Sequence, residues 1–160
     1  MGSSPLGKGN QKAATVIFVC KGNVCRSAFA EQRLKYLLGS NNIHIDSCGV
    51  NVDQGNSPPG DSVSIAAEFS CSIFGRQAKG LTECDIENAD FIFPMEYWQY
   101  NRLIQIYPHK KENIFLLRSL VPFPGRLFCN INDPYGWGKK EFRRTYLLID
   151  KALRQIMSWY

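Results

Sequence analysis

Four consecutive apolar residues, Val16 to Val19, lead through Cys20 into a short polar stretch, and apolar positions then recur at Phe29, Ala30, Leu34, Leu37 and Leu38. The first run reads as a buried strand and the second set has helical spacing, so the pattern predicts strand, tight loop and amphipathic helix, with Arg26 and Ser27 opening the helix. Ile43 to Ser47 alternates and reads as a second strand, with His44 facing water. After a Gly-, Asn- and Pro-rich loop over 49–60, a helix is predicted from Asp61, its N-cap, to Ser70, with Val63, Ile65, Ala66 and Phe69 inward. A short helix follows at Thr82 to Asp85. Strand three is Ala89 to Phe93, and a helix runs over Glu96 to Ile106, packed through Trp98, Leu103 and Ile104. Strand four is Asn113 to Leu117. A closing helix spans Lys139 to Trp159, with Phe142, Tyr146, Leu147, Ile149, Leu153 and Ile156 as its apolar stripe.

Strands that alternate with helices predict an α/β fold, a parallel sheet with helices on both faces and its site beyond the carboxyl ends of the strands. At 160 residues the chain is long enough for one domain, placed at 15–160, behind a disordered leader over 1–14. No apolar run reaches membrane-spanning length and no signal peptide is visible. The six cysteines do not form the framework of a small secreted domain, and a cytoplasmic location is expected. The net charge of +5 is spread out, with no basic stripe interleaved with aromatics, so nucleic acid is not expected as a partner.

The chemistry concentrates in CKGNVCRS, Cys20 to Ser27. A loop wrapped at the start of a helix turns several backbone N–H groups toward one point, and the helix dipole adds positive charge there. Gly22 and Asn23 suit the unusual dihedrals of such a wrap. Arg26 can hold two oxygens of a bound oxyanion bidentately, and a Cys20 thiolate beneath that anion is a nucleophile aimed at phosphorus. Two plainer readings stand beside this one. C-x5-R occurs by chance and Cys20 can be a core thiol. Cys20 and Cys25 can also ligate zinc, although no partnering Cys or His pair has suitable spacing.

This loop resembles the C-x-G-N-x-C-R-S signature of the low-molecular-weight protein tyrosine phosphatases. A second motif of that family, D-P-Y, stands at Asp133-Pro134-Tyr135. The resemblance covers about Ala14 to Ile156 and implies a single-domain three-layer sandwich with a four-stranded parallel sheet in the order 2-1-3-4. It implies hydrolysis of phosphotyrosine in protein substrates through a phosphocysteine on Cys20, with Arg26 binding phosphate and Asp133 as general acid and base. Lys21, Gly22, Asn23, Val24, Cys25 and Ser27 would surround the phosphate, and Tyr135 would flank the leaving ring. Ser27 matches a serine that hydrogen-bonds the thiolate, Asn23 the residue that braces the loop, and Ser47 the partner of that asparagine. Cys25 matches a cysteine that can form a disulfide with Cys20. No metal or other cofactor is implied, because Arg26 and the loop amides supply the positive charge. Parts of 61–81 look like the bacterial branch, which opposes tyrosine kinases.

There are departures from the family pattern. Lys21 replaces an apolar residue or threonine, Ala28 a proline and Cys48 an alanine. Ile73 replaces a histidine of the bracing network, which predicts a less rigidly held loop. Val50 or Val52 is the expected pocket wall after strand two. Two alternatives remain open at this point. One is a thiol-coupled arsenate reductase, for which Cys71 and Cys84 are the relay candidates. The other is a phosphotyrosine-binding module with weak turnover.

Overall fold

Side chains along β1 (Ala14–Cys20) alternate between two interiors. Val16, Phe18 and Cys20 enter a large cluster shared with α1 (Arg26–Leu38), α2 (Gly60–Glu68) and α4 (Gly138–Met157). Ile17 and Val19 enter a smaller one, shared with α3 (Tyr97–Ile106) through Leu103. Helices therefore cover both faces of the sheet, as the strand–helix alternation predicts. This computed structural model describes residues 13–159. The leader expected over 1–14 lies almost entirely outside the described residues, and Ala14 already belongs to β1.

The sheet is parallel, in the order β2-β1-β3, with β2 at Ile43–Gly49 and β3 at Phe91–Pro94. Val16 pairs with Ile45 on one side and with Phe91 on the other. The predicted fourth strand is reduced to one parallel bridge, Ile92 to Ile114, and the Phe115 amide donates to the Ile92 carbonyl at 2.9 Å. The chain leaves the sheet there because Leu117, fully buried, turns into the large cluster on a 3-10 turn over Leu117–Leu120. Four strands in the order 2-1-3-4 are thus corrected to three, with Ile114 in the fourth place.

The helices are held by their inward stripes. On α4, Phe142, Tyr146, Ile149, Leu153 and Ile156 are buried, whereas Leu147 is 46% exposed and lies off the stripe. Trp98 is likewise 44% exposed, and its indole N–H donates to Glu96 rather than packing in the core. Helix α2 begins one residue before Asp61, with Pro59 at its N-cap, so Asp61 sits in the first turn, where a carboxylate complements the helix dipole. Helices α1 and α4 meet on the site side of the sheet through an aromatic stack and a set of polar contacts. Phe29 stacks on Tyr146 with ring centroids 3.9 Å apart, and the Tyr146 hydroxyl pairs with Ser62 at 2.5 Å. Beside the stack, Arg33 Nε donates to Asp150 Oδ1 at 2.7 Å and its NH1 to the Phe69 carbonyl at 2.6 Å.

Replacing Phe29 by Ala empties the centre of this contact, and such cavities cost about 3–5 kcal/mol. Urea titration of the variant is expected to show a loss of that size; a change below about 1 kcal/mol would contradict the stacking role given to this ring.

Candidate active site

β1 delivers Cys20 at its carboxyl end, and the loop 21–25 returns the chain into α1. Asn23 takes a left-handed φ of 55°, a conformation asparagine tolerates better than most side chains. Its amide points at Cys20 Sγ from 3.3 Å. The amides of Gly22, Val24, Cys25 and Arg26 donate to no protein acceptor among the described residues. Backbone donors gathered in this way at a helix N-terminus form an anion cradle.

The end of β2 clamps the loop from outside. Val50 N donates to the Cys20 carbonyl at 3.0 Å and Asn51 N to the Lys21 carbonyl at 2.9 Å. A side chain at Gly49 could not fit, because its Cβ would lie 2.6 Å from the Lys21 carbonyl oxygen and 3.0 Å from the Asn23 amide. Gly49 is therefore part of the site's construction, and the sequence pattern did not single it out.

Asn23 anchors the loop from inside. Its Nδ2 donates to Ser27 Oγ and Ser47 Oγ, both at 2.9 Å, while its Oδ1 accepts the Lys79 amide at 2.9 Å. Ser27 Oγ, which accepts from Asn23, lies 3.0 Å from Cys20 Sγ and 3.4 Å from the Cys48 carbonyl oxygen. Ser47 Oγ donates to Glu31 Oε2 at 2.6 Å, and Glu31 is gripped by Arg76 NH1 at 3.1 Å, Arg76 NH2 at 2.5 Å and Lys35 at 2.5 Å. Burial pushes the Glu31 carboxyl upward, but the hydrogen bonds from Arg76, Lys35 and Ser47 outweigh it and hold the group below the ordinary glutamate range. The expectation of a loosely held loop is thereby corrected. Ile73 is fully buried in the apolar cluster, and the Arg76–Glu31 pair supplies the polar brace.

Arg26, 1% exposed, is the first residue of α1. Its NH1 donates to Glu96 Oε2 and to the Ile131 carbonyl, each at 2.8 Å. Its NH2 lies 3.2 Å from Asp133 Oδ2, and its Nε is buried without a partner among the described residues. The Nε–NH2 edge is thus the one left for a planar two-oxygen ligand. Burial works against the charge of Arg26, yet Cys20, Asp133 and Glu96 raise it above the ordinary arginine value. The sequence pattern does not single out Glu96, although Glu96 and Gln99 have the spacing of a capping box and a buried arginine demands an acid partner.

Cys20, Lys21, Gly22, Val24, Cys25, Arg26, Asp133 and Tyr135 line one cavity of about 210 Å³. Ser27, Asn23 and Ser47 stand behind it in the hydrogen-bond chain. Asn51, Asp53 and Asn56 complete the wall after β2, where Val50 or Val52 was expected. Val50 packs instead against the smaller cluster, and Val52 faces Gly49. Asp133 is held at the mouth, its Oδ1 accepting the Tyr135 amide at 3.2 Å, while the Tyr135 and Trp137 rings are 60% and 77% exposed. All six cysteines are free. Burial, then the neighbouring Cys20, pushes the Cys25 thiol up to about 12. Among the described residues no three His, Cys, Asp or Glu side chains gather as a ligand set, so the zinc reading of Cys20 and Cys25 finds no further ligands.

The profile of the family described as low molecular weight phosphotyrosine protein phosphatase matches residues 15–159. The chain is 28% identical over 140 residues to the low molecular weight protein-tyrosine-phosphatase Wzb of Escherichia coli K12, covering 88% of this chain and 90% of that one. It is 27% identical over 146 residues to a protein-arginine-phosphatase of Bacillus subtilis, covering 88% and 93%. Among solved structures, Vibrio vulnificus Wzb in complex with benzylphosphonate superposes with a TM-score of 0.79 at 27% identity, over 91% of this chain and 97% of that one. With the motif-bearing loop, the fold and a match along nearly the whole described chain in agreement, this protein belongs to the low molecular weight phosphotyrosine protein phosphatase family.

Proposed function

We propose that the chain is a metal-independent phosphotyrosine phosphatase that works through a phosphocysteine on Cys20. One observation carries this reading: a cysteine sulfur, the free edge of a buried arginine and a carboxylate meet in a single cavity floored by unpaired amides. In the first step Cys20 Sγ attacks phosphorus, the P–O bond to the leaving group breaks, and Asp133 gives its proton to the departing phenolate oxygen. In the second step Asp133 takes a proton from water, the water oxygen attacks phosphorus, and the S–P bond breaks to return Cys20 and release phosphate. Ser27 and the Asn23 amide, both directed at Sγ, stabilise the sulfur as it leaves. Arg26 and the cradle amides offset the charge that accumulates on the equatorial oxygens.

Tyrosine is favoured as the carrier because Val24 and Tyr135 offer apolar and aromatic surface to a ring. A protein that bears phosphotyrosine, including a tyrosine kinase, is therefore the expected partner. A second reading rests on Asp53 in the wall, a carboxylate able to pair with a guanidinium, so phosphoarginine is the alternative substrate to test. The arsenate reductase reading loses its relay, because Cys71 lies in the large cluster and Cys84 against the smaller one, on opposite faces of the sheet.

With phenyl phosphates of graded leaving ability, Cys20→Ser is expected to abolish turnover for every ester. Asp133→Ala is expected to slow the poorest leaving groups by about 10²–10⁴-fold and the best ones far less. An equal loss across the series would remove Asp133 from the role of acid. Parallel assays on phosphotyrosine and phosphoarginine peptides separate the two substrate readings.

The brace behind the loop gives a pH-dependent prediction. The folded Glu31 carboxyl sits below its unfolded value, so its contribution is complete above about pH 4.3 and is lost as pH falls through the folded value. Thermal unfolding of the wild-type chain should therefore weaken more steeply on acidification than that of Glu31→Gln. At neutral pH the variant should be less stable by about 1–3 kcal/mol, because buried donors lose their charged acceptor. Parallel acid profiles for the two chains would exclude Glu31 as the anchor.

A further inference from the structure

A second pair of thiols lies on the face of β2 turned away from Cys20. Strand alternation places Asp46 and Cys48 on one face of β2. Cys48 is fully buried there, in the small cluster with Ile17, Val19 and Ile92. Cys84, just past the 3-10 turn Leu81–Glu83, packs half-buried against the same cluster. Its Sγ lies 3.3 Å from Asp46 Oδ2 and 3.3 Å from the Ser47 carbonyl oxygen. Asp46 and Cys48 share one face, so the contact with Asp46 places Cys84 on the face of β2 that carries Cys48, and both thiols belong to one cluster. The nearby Cys84 thiol, then burial, pushes the Cys48 thiol well above the ordinary thiol range.

We propose that Cys48 and Cys84 form a dithiol that peroxide oxidises to a disulfide, a modification site separate from the nucleophile. Cys84, the more exposed of the two, meets the peroxide first. Its sulfur attacks the O–O bond; the S–O bond forms, and the departing hydroxide takes the thiol proton to leave as water. Cys48 then attacks the sulfenic sulfur of Cys84. The S–S bond forms, the S–O bond breaks, and the hydroxide leaves with the Cys48 proton as a second water. The two thiols give up two electrons, and one peroxide is reduced to two waters.

The bond ties the turn after Lys79 to β2. Lys79 donates its amide to Asn23 Oδ1 at 2.9 Å and accepts the Gly49 amide at 2.8 Å, so the tethered segment is the one that supports the loop. Cys20 enters the large cluster on the other face of the sheet, and the bond therefore forms without consuming it.

The test uses the full chain carrying Cys20→Ser, which removes the reactivity of the nucleophile. After treatment with hydrogen peroxide, remaining thiols are alkylated in denaturant and the digest is mapped by mass spectrometry without reductant. A peptide pair joined through Cys48 and Cys84, two hydrogens lighter than the separate thiols, is expected. A rise of several degrees in Tm, reversed by reductant and missing in Cys20→Ser/Cys84→Ser, is expected with it. Recovery of Cys48 in alkylated form beside Cys84 sulfinic acid would overturn the proposal. So would linkage of either thiol to Cys25, Cys71 or Cys129, or a peroxide-dependent rise in Tm that persists without Cys84. The mapping result stands even if the double variant folds poorly.

Discussion

A guanidinium withdrawn almost completely from water must find acceptors on each of its edges or it destabilises the fold. Arg26 meets that requirement by drawing three separate parts of the chain to one point. Glu96 comes from the N-cap of α3, Ile131 from the segment after the 3-10 turns, and Asp133 from the D-P-Y motif. None of these is close to Arg26 in sequence, so the pairing of one side chain fixes the relative positions of α1, α3 and the 131–135 segment. It leaves Nε without a partner among the described residues, on the same edge as the NH2 that Asp133 approaches. The same constraint that stabilises the architecture thus sets the orientation of the guanidinium at the cavity.

Asn23 does for the loop what Arg26 does for the surrounding elements. A non-glycine residue at positive φ is costly unless its neighbours determine its conformation. Here the side-chain amide is used at both ends, toward Ser27 and Ser47 on one side and Lys79 on the other. The chain continues through Glu31 to Arg76, so the ion pair behind the sheet is connected to the sulfur through three hydrogen-bonding side chains. Ile73 is buried in the apolar cluster, and the charge–hydrogen-bond network reaches Ser47 from Glu31 on α1 and from Arg76.

Local pattern made most of this legible. The strand, loop and helix around Cys20 follow from hydrophobic period and from Gly22 and Asn23, and Arg26 opens α1 as the spacing implies. What the pattern missed depends on contacts between distant residues. An apolar run at 114–117 looks like a strand, yet whether it pairs depends on where Leu117 finds burial, and it finds it away from the sheet. Leu147 and Trp98 fit a helical stripe by count but fall outside the buried arc. Glu31 and Arg76 carry no motif and Glu96 only the spacing of a capping box with Gln99, so the demand of a buried charge for a partner is what points to their roles. Gly49 is recognisable only once the loop backbone is seen to pass where its Cβ would lie.

Two cysteines five residues apart illustrate how position within one loop divides their chemistry. Cys25 packs into the interior beside Tyr146 and Ser62, and burial together with the nearby Cys20 pushes its thiol up to about 12, so it stays protonated at neutral pH. A protonated buried thiol is a packing group and a weak donor. Cys20 lies at the strand end, where the Asn23 amide donates to its sulfur, the Ser27 hydroxyl stands 3.0 Å from it, and the paired Arg26 lines the same cavity. Residue type is the same at both positions. What differs is the backbone amide donated to Cys20, and that follows from the left-handed turn at Asn23, which faces its own amide back toward Cys20. The surroundings of Cys20 therefore depend on the same backbone conformation that gathers the loop amides, and a change that released Asn23 would disturb both together.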